Sequence, residues 1–348
     1  MNPMGIVNPA KAPILSVCIP TYNFGAFIAE TLASIVPQLT SEVEVVILDG
    51  GSTDNTEEMV RPFLANEPLI RYIRRGARGG IDRDMARSVD LAQGEYCWLF
   101  SSDDIMRPGA IERILKEIAG GLDVYLGGVT LCDRKMATIE EHGILDAPWD
   151  TVFNLKDAAQ RRRYFECART TMAFFSFMGA IVIRRDRWRA CPLDEAYVGS
   201  CWAHVVRILR MIPDGLSVKY VGASLLRKRS DNDSFMDRGI VHRYAIAIDG
   251  YHRIANDVFG KSSLEARHIR RVIVNEFPPK FFFSAKLDCI HGGRLSDIVE
   301  LDRLARAAYR DRNIRNCIYR ATYHLLPVWL YGLARTTYKG LRRAICGV

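Results

Sequence analysis

Apolar residues follow two rhythms along the first third of the chain. Runs rich in β-branched and aromatic residues at Ile14–Ile19 (ILSVCI), Val43–Leu48 (VEVVIL), Leu69–Ile73 (LIRYI) and Tyr96–Phe100 (YCWLF) predict strands. Between them the spacing becomes helical. Phe27, Ile28, Leu32 and Ile35 share one face of a helix over Ala26–Ile35, and Asp84–Ala92 reads as another helix, stopped by Gly94. Asp54-Asn55-Thr56-Glu57 has the form of a capping box for a helix through Leu64, and Pro108 suits the first position of a helix through Ile118. This alternation predicts an α/β fold with a doubly wound, mostly parallel sheet whose apolar strands are covered on both faces.

In such sheets ligands bind beyond the carboxyl ends of the strands, near the point where the strand order reverses. Three polar clusters follow strands here: Pro20-Thr21-Tyr22-Asn23, Asp49-Gly50-Gly51-Ser52-Thr53-Asp54 and Ser101-Ser102-Asp103-Asp104. They are expected to converge on one sheet edge. The first turn, PTYNFG, has one glycine and bulky neighbours where a dinucleotide fold needs G-x-G-x-x-G, and no GxxxxGK[ST] loop occurs, so NAD(P), FAD and P-loop chemistry are disfavoured.

Asp103 and Asp104 are adjacent carboxylates at the end of an apolar strand. They suit a hard divalent cation, Mg²⁺ or Mn²⁺, completed by phosphate oxygens, although an acidic pair by itself more often marks a solvated turn before a helix. Asp49 ends an apolar strand ahead of two glycines. It could accept hydrogen bonds from a base or ribose edge, or from its own turn. Asp82, Arg83 and Asp84 follow the glycine-rich stretch Gly76–Gly80, where Arg78 could meet phosphate. A surface connection capped by Asp82 or Asp84 is the alternative.

Together these segments resemble family 2 glycosyltransferases with the GT-A fold. The resemblance rests on P-x-Y-N (Pro20–Asn23), the D-G-S-T-D-type turn (Asp49–Asp54), and A-x-G-E-[YW] (Ala92–Tyr96) before an acidic element (Ser101–Asp104), three ordered motifs within about residues 14–120. GGIDRDMA, YCWLFSSDD and the later Arg229-Ser230-Asp231-Asn232-Asp233-Ser234-Phe235 are similar to abequosyltransferase-like members, which add a dideoxyhexose to a lipid-linked O-antigen unit. The resemblance implies that Pro20, Thr21, Tyr22, Asn23, Asp49, Gly51, Asp82, Asp84 and Ser102 line a nucleotide pocket. It implies that Asp103, with Asp104 beside it, binds the metal, and that Arg78, Arg227 and Arg229 close on the diphosphate, with 227–229 as a mobile lid. Two positions depart from the pattern: Ser101 stands where the first acid of the acidic element is usual, and Gly50 replaces the second acid of the turn. The acceptor-half segment G-x-E-D matches Gly199–His204, which has no acid. His204, Asp194 and Glu195 are the candidate bases, and a retaining mechanism would need none.

The chain has 348 residues, 49% of them apolar and a net charge of +8. Ten Lys/Arg and one acid lie from Arg303 onward, so residues 1–302 sum to −1 and a general nucleic-acid role is disfavoured. Those arginines interleave with Tyr309, Tyr319, Tyr323, Trp329, Tyr331 and Tyr338, which fits either helices resting on anionic lipid or ordinary packed helices with a basic face. No transmembrane run and no secretory signal are expected. The nine cysteines are scattered, against zinc and disulfides and in favour of a cytoplasmic setting, to which the basic C-terminal stretch adds a peripheral place on the inner membrane face as an expectation. The expected domains are a flexible 1–13, a GT-A domain at 14–260 (nucleotide half 14–120, acceptor half 121–260) and a basic helical extension at 261–348. The expected activity is metal-dependent transfer of a hexosyl or deoxyhexosyl group from a nucleotide-diphosphate sugar to a glycan, with a lipid-linked acceptor. The alternative is a degenerate nucleotide- or glycan-binding domain.

Overall fold

The computed structural model describes residues 12–230, 232 and 238–333. The expected N-terminal segment up to residue 11, the C-terminal residues from 334 with Tyr338, and Asp231, Asp233, Ser234 and Phe235 lie outside the described residues. The chain forms two compact units. One runs through Asn232, and the other comprises Asp233 onward with Arg169–Thr171. The division falls after 232 and not at 260, because the long helix beginning at Gly239 packs on the helices that follow it.

The first unit opens with strands β1 (Leu15–Thr21), β2 (Val43–Asp49), β3 (Ile70–Arg74) and β4 (Tyr96–Leu99), alternating with helices α1 (Ile28–Ile35), α2 (Thr56–Asn66) and α3 (Ile81–Leu91). Every residue of β1, β2 and β4 is buried, which explains why these runs lack the alternation of a half-wet strand. Each buried Val, Leu or Ile contributes roughly 1.5–3 kcal/mol. The polar exceptions are matched: Glu44 accepts from Ser16 Oγ at 2.7 Å and from Arg71 at 3.0 Å. These strands pair in parallel in the order β3-β2-β1-β4, so the order reverses between β1 and β4. Pro20 is tolerated inside β1 because the β1–β4 ladder has already ended at Cys18 and Leu99.

Beyond β4 the sheet becomes mixed. β5 (Ile105–Met106), β6 (Val124–Cys132), β7 (Thr138–His142), β8 (Val152–Asn154), β9 (Ile181–Arg184) and β10 (Ser217–Arg229) extend it to ten strands in the order β3-β2-β1-β4-β9-β6-β10-β5, with β7 on β6 and β8 on β10. β9 runs antiparallel to both β4 and β6, while β6 and β10 pair in parallel, so the uninterrupted parallel winding of β1–β4 gives way to a mixed half. Helices α4 (Ala110–Ile118), α5 (Ala158–Cys167), α6 (Arg185–Ala190) and α7 (Ala203–Leu209) complete this unit. The short β5 pairs antiparallel with the end of β10, Ile105 opposite Arg227, a register that carries residues 103–104 alongside Arg229.

The second unit is helical: α8 (Gly239–Phe259), α9 (Leu264–Glu276), α10 (Pro279–His291), α11 (Leu295–Ala308) and α12 (Ile314–Leu325). Phe282 centres its core, with ring centroids 5.7 Å from Tyr244 and Tyr309 and 5.6 Å from Tyr323. Tyr309 and Tyr323 are therefore core residues, not part of an exposed aromatic patch. Their hydroxyls donate to the Phe277 carbonyl at 2.6 Å and to Asp302 at 2.7 Å. Among the described residues, the eight cysteines are free and no helix is long and apolar enough to cross a membrane.

Candidate active site

The turns after β1 and β2 are laced together by their own polar groups. Asn23 adopts a left-handed backbone (φ 59), which asparagine tolerates better than most residues. Its amide donates to Ser52 Oγ at 2.9 Å, and its Oδ1 accepts from the Thr53 amide at 2.8 Å. Gly50 donates its amide to the Thr21 carbonyl at 2.9 Å. Asp54 takes the amides of Gly25 at 2.9 Å and Thr56 at 3.0 Å. The expected capping box is thus replaced by an aspartate turn that also fastens the β1 turn, and α2 begins at Thr56.

Asp49 is fully buried at the end of β2. One oxygen accepts the Gly51 and Ser52 amides at 2.9 and 2.7 Å, and the other accepts the Tyr72 hydroxyl. Burial, reinforced by this bond, holds the Tyr72 phenol well above its ordinary value. Asp49 therefore shapes the turn from within. Beside it, Arg75 meets Asp84 at 2.7 Å. Two glycines make room for that pair: a Cβ on Gly50 would stand 2.8 Å from Asp84 Oδ2, and one on Gly79 would stand 2.2 Å from Arg75 Nη1. Asp84 thus occupies the space of the acid missing at position 50. The Arg78 guanidinium lies 4.2 Å over the Tyr22 ring, and Thr21 Oγ1 is buried without a partner among the described residues.

Across the switch point, Asp103 and Asp104 are 7% and 2% exposed. They are not a solvated helix cap. Asp103 accepts from Ser101 Oγ, and from Asn232 Nδ2 at 2.8 Å, while Asp104 accepts the Arg229 amide at 2.8 Å. Burial first, then the neighbouring Asp103 charge, push the Asp104 carboxyl well above the usual carboxylate range. Ser101 thus serves the carboxylate pair as a donor. Ser102 beside them is buried.

Arg227 and Arg229 are strand residues at the end of β10, so the expected mobile lid does not include them. Ladder pairing to β6 fixes their backbone. Arg229 is 5% exposed and donates to the Asp103 carbonyl at 2.9 Å, to Glu30 of α1 at 2.5 Å and to the Arg134 carbonyl at 2.6 Å. It ties the carboxylate pair to the helix that follows the β1 turn. Arg227 donates to the Met136 carbonyl.

The other acids and His204 sit in a second constellation. Asp82 accepts the amides of Gly199 at 2.8 Å and of Cys201 and Ala203 at 3.1 Å, so it anchors the loop that leads into α7 and does not stand open to a nucleoside. His204 is buried, with Nε2 at 3.0 Å from the Phe175 carbonyl. Burial lowers its pKa against the opposing Asp82 charge, as suits a neutral packed ring. Asp194 caps the turn at Glu195–Tyr197 and pairs with Arg210 at 2.7 Å, while exposed Glu195 pairs with Arg83 at 2.6 Å. None of these three candidate bases shares a hydrogen bond or ion pair with Asp103 or Asp104 among the described residues. Sequence reasoning did not single out Tyr72, Arg75 or Glu30. The only local signal for Arg75 was an arginine closing a strand next to glycines.

The family model for glycosyl transferase family 2 matches residues 16–183, spanning both turns and the carboxylate pair. Abequosyltransferase RfbV of Salmonella typhimurium is 31% identical over 276 residues, 76% of this chain and 81% of that one. TarS of S. aureus, solved with UDP-GlcNAc, aligns over 85% of this chain and 82% of its own at 15% identity with a TM-score of 0.54. A mannosyltransferase from Pyrobaculum calidifontis, solved with GDP-Man and Mn²⁺, covers 96% and 84% at 17% identity with a TM-score of 0.53. A family model that spans the turns and the carboxylate pair, a relative matched over most of both lengths and solved folds aligned over most of the chain agree: the chain belongs to glycosyltransferase family 2 and carries the GT-A fold.

Proposed function

We propose that this protein transfers a hexosyl or deoxyhexosyl group from a nucleoside-diphosphate sugar to a hydroxyl of a lipid-linked O-antigen or related surface glycan. The observation that carries this reading is the buried Asp103–Asp104 pair, which follows β4 at the same sheet edge as the laced turns after β1 and β2. The abequosyltransferase relative supports the acceptor class, and the neighbours holding UDP-GlcNAc and GDP-Man support the donor class.

In this reading the turn Thr21–Asn23 and the Gly51–Ser52 turn that Asp49 braces form the nucleoside cradle, with Tyr22 and Arg78 offering planar faces to the base. Asp103 and Asp104 would hold Mn²⁺ or Mg²⁺. The fit rests on two adjacent buried carboxylates whose like charges oppose each other, an opposition that Lys228 and Arg229 offset only in part. When bound, the ion supplies charge neutralisation and Lewis acidity toward the departing diphosphate. Arg229 and Asn232 hold the carboxylates in place, and the fold aligns the acceptor hydroxyl with the anomeric carbon. Of the three candidate bases, Glu195 is the one most open to an acceptor hydroxyl. It alone is exposed, and a surface ion pair such as its tie to Arg83 is broken at a cost of about 1 kcal/mol or less.

The helical unit exposes Leu295, Val299, Ile314, Ile318, Leu325 and Trp329, with Arg312, Arg315 and Arg320 exposed along the same stretch. This combination suits an anionic cytoplasmic membrane surface presenting the lipid-linked acceptor. The decisive experiment is transfer from a panel of nucleotide sugars with Mn²⁺ or a chelator. Asp103→Ala is expected to lose turnover at least ~100-fold. Unchanged turnover in that variant would remove the metal role, and absence of transfer or donor hydrolysis across the panel would leave a binding domain.

A further inference from the structure

A cleft of about 550 Å³ lies in the first unit on the α3 side of the β2–β3 pair. Leu48 and Ile73 are partners in that ladder and face it, whereas Asp49 and Tyr72 meet on the opposite face of the same two strands. The cleft is therefore separate from the donor cradle. Leu48, Ile73, Leu91 and Leu193 give it an apolar floor, and Arg75, Arg83, Arg87 and Arg207 ring it, with Asp90 as the one acid on the lining.

The arginines are unequal. Arg75 and Arg83 are neutralised by Asp84 and Glu195, and Arg87 reaches Asp90 only at 4.0 Å. Arg207 is 6% exposed. Its Nε donates to the carbonyls of Trp188 at 3.0 Å and Cys191 at 2.6 Å, and its guanidinium stacks 4.4 Å over the Trp188 ring. These contacts fix the plane of the group but leave both Nη nitrogens without a protein acceptor among the described residues, and no carboxylate lies within ion-pair distance. A buried guanidinium held rigid with only the more distant Asp90 charge to oppose its own is costly, and burial draws its pKa down accordingly. Its planar fork matches a carboxylate or phosphate in two-point contact.

We propose that this cleft is a second binding site, for an organic anion with an apolar body and a phosphate or carboxylate head. The head meets Arg207 and Arg87, and the body covers the leucine floor. Arg75 borders the cleft and also holds Asp84, so occupancy would be felt through α3 at the donor turn. A phosphate of the acceptor and a free metabolite share the required chemistry.

Phenyl phosphate, benzoate and inorganic phosphate, titrated calorimetrically into the full-length protein, test the site. Phenyl phosphate is expected to bind saturably below ~1 mM and tighter than inorganic phosphate, with its affinity about tenfold weaker in the exposed-residue variant Arg87→Glu. Leu193→Trp fills the floor and is expected to abolish binding in a folded protein; Arg207→Met is expected to do the same. Asp103→Asn is expected to leave binding intact. No saturable binding up to ~10 mM, binding unaltered by Arg87→Glu and Leu193→Trp, or binding lost in Asp103→Asn would each overturn the proposal. Competition by a lipid-linked glycan acceptor would identify the acceptor as the source of the anion, and its absence would identify a separate ligand.

Discussion

The Arg229 amide donates to the Asp104 carboxylate at 2.8 Å, while its side chain reaches the Asp103 carbonyl and Glu30. One strand-end residue thus holds both halves of the carboxylate pair and the helix beyond the β1 turn. Arg229→Ala keeps the amide but removes the charge and three side-chain bonds. It is expected to destabilise the first unit by about 2–3 kcal/mol and to weaken Mn²⁺ binding. Urea denaturation with and without Mn²⁺ reads both effects.

Ser101 donates to Asp103 where a third acid would otherwise stand. Ser101→Asp adds a charge beside two buried carboxylates. The metal-free protein should melt at a lower temperature than the parent, and Mn²⁺ should restore more than the lost stability, with roughly tenfold tighter binding. Equal metal affinity in the two proteins would show that the ion does not bind at this position.

Gly50 and Gly79 exist as glycines because Asp84 and Arg75 fill the space beside them. Gly50→Ala is expected to displace the ion pair, cost about 1–3 kcal/mol, and loosen nucleotide binding more than it alters metal binding. Paired nucleotide and Mn²⁺ titrations separate the two.

His252 in α8 is 7% exposed, faced by Arg310, Arg270, Asp249 and Asp311, and burial together with the two arginines pushes its pKa down to about 4. The folded ring stays neutral between about 4 and 6.5 while the unfolded one takes a proton. Stability of the helical unit should therefore be fully present above the ordinary histidine value and be lost as pH falls toward 4, by at most about 3 kcal/mol. His252→Gln should flatten this part of the stability–pH curve, measured by denaturant midpoints across the range.

Ile314 and Ile318 lie one turn apart on α12, 82% and 57% exposed, in a stretch containing Arg312, Arg315 and Arg320. Replacing both with Asp should leave thermal stability within about 0.5 kcal/mol and reduce flotation with anionic vesicles several-fold. Equal flotation by the double variant would sink the membrane reading for this face.

The nucleotide half was legible because its information is local. Strands β1 to β4, the polar residues after each and the parallel winding follow from apolar runs and turn chemistry within about thirty residues of one another. What the turn residues do was not legible. Asp49 bonds Tyr72 and Asp84 bonds Arg75 through side-chain directions that apolar runs and turn signals do not record, and Asp82 receives amides from Gly199 to Ala203, a pairing that depends on how distant segments meet. The same reason explains the 227–229 run: three consecutive basic residues look like a solvated loop until β6 is found beside them. Tyr309 and Tyr323 misled in the opposite direction, since the apolar body and polar tip that suit a membrane surface also suit a core with a nearby acceptor.

The contact between Asp104 and Arg229 spans 125 residues of sequence. It therefore sets a timetable for assembly. The β1 and β2 turns can close soon after their strands leave the ribosome, because their bonds join residues about thirty positions apart. The carboxylate pair must wait until synthesis has passed through β10, and until then two adjacent acids end an apolar strand without their clamp. Long-range closure of this kind is slow, so maturation of the acidic half is expected to lag behind the nucleoside cradle in every newly made molecule.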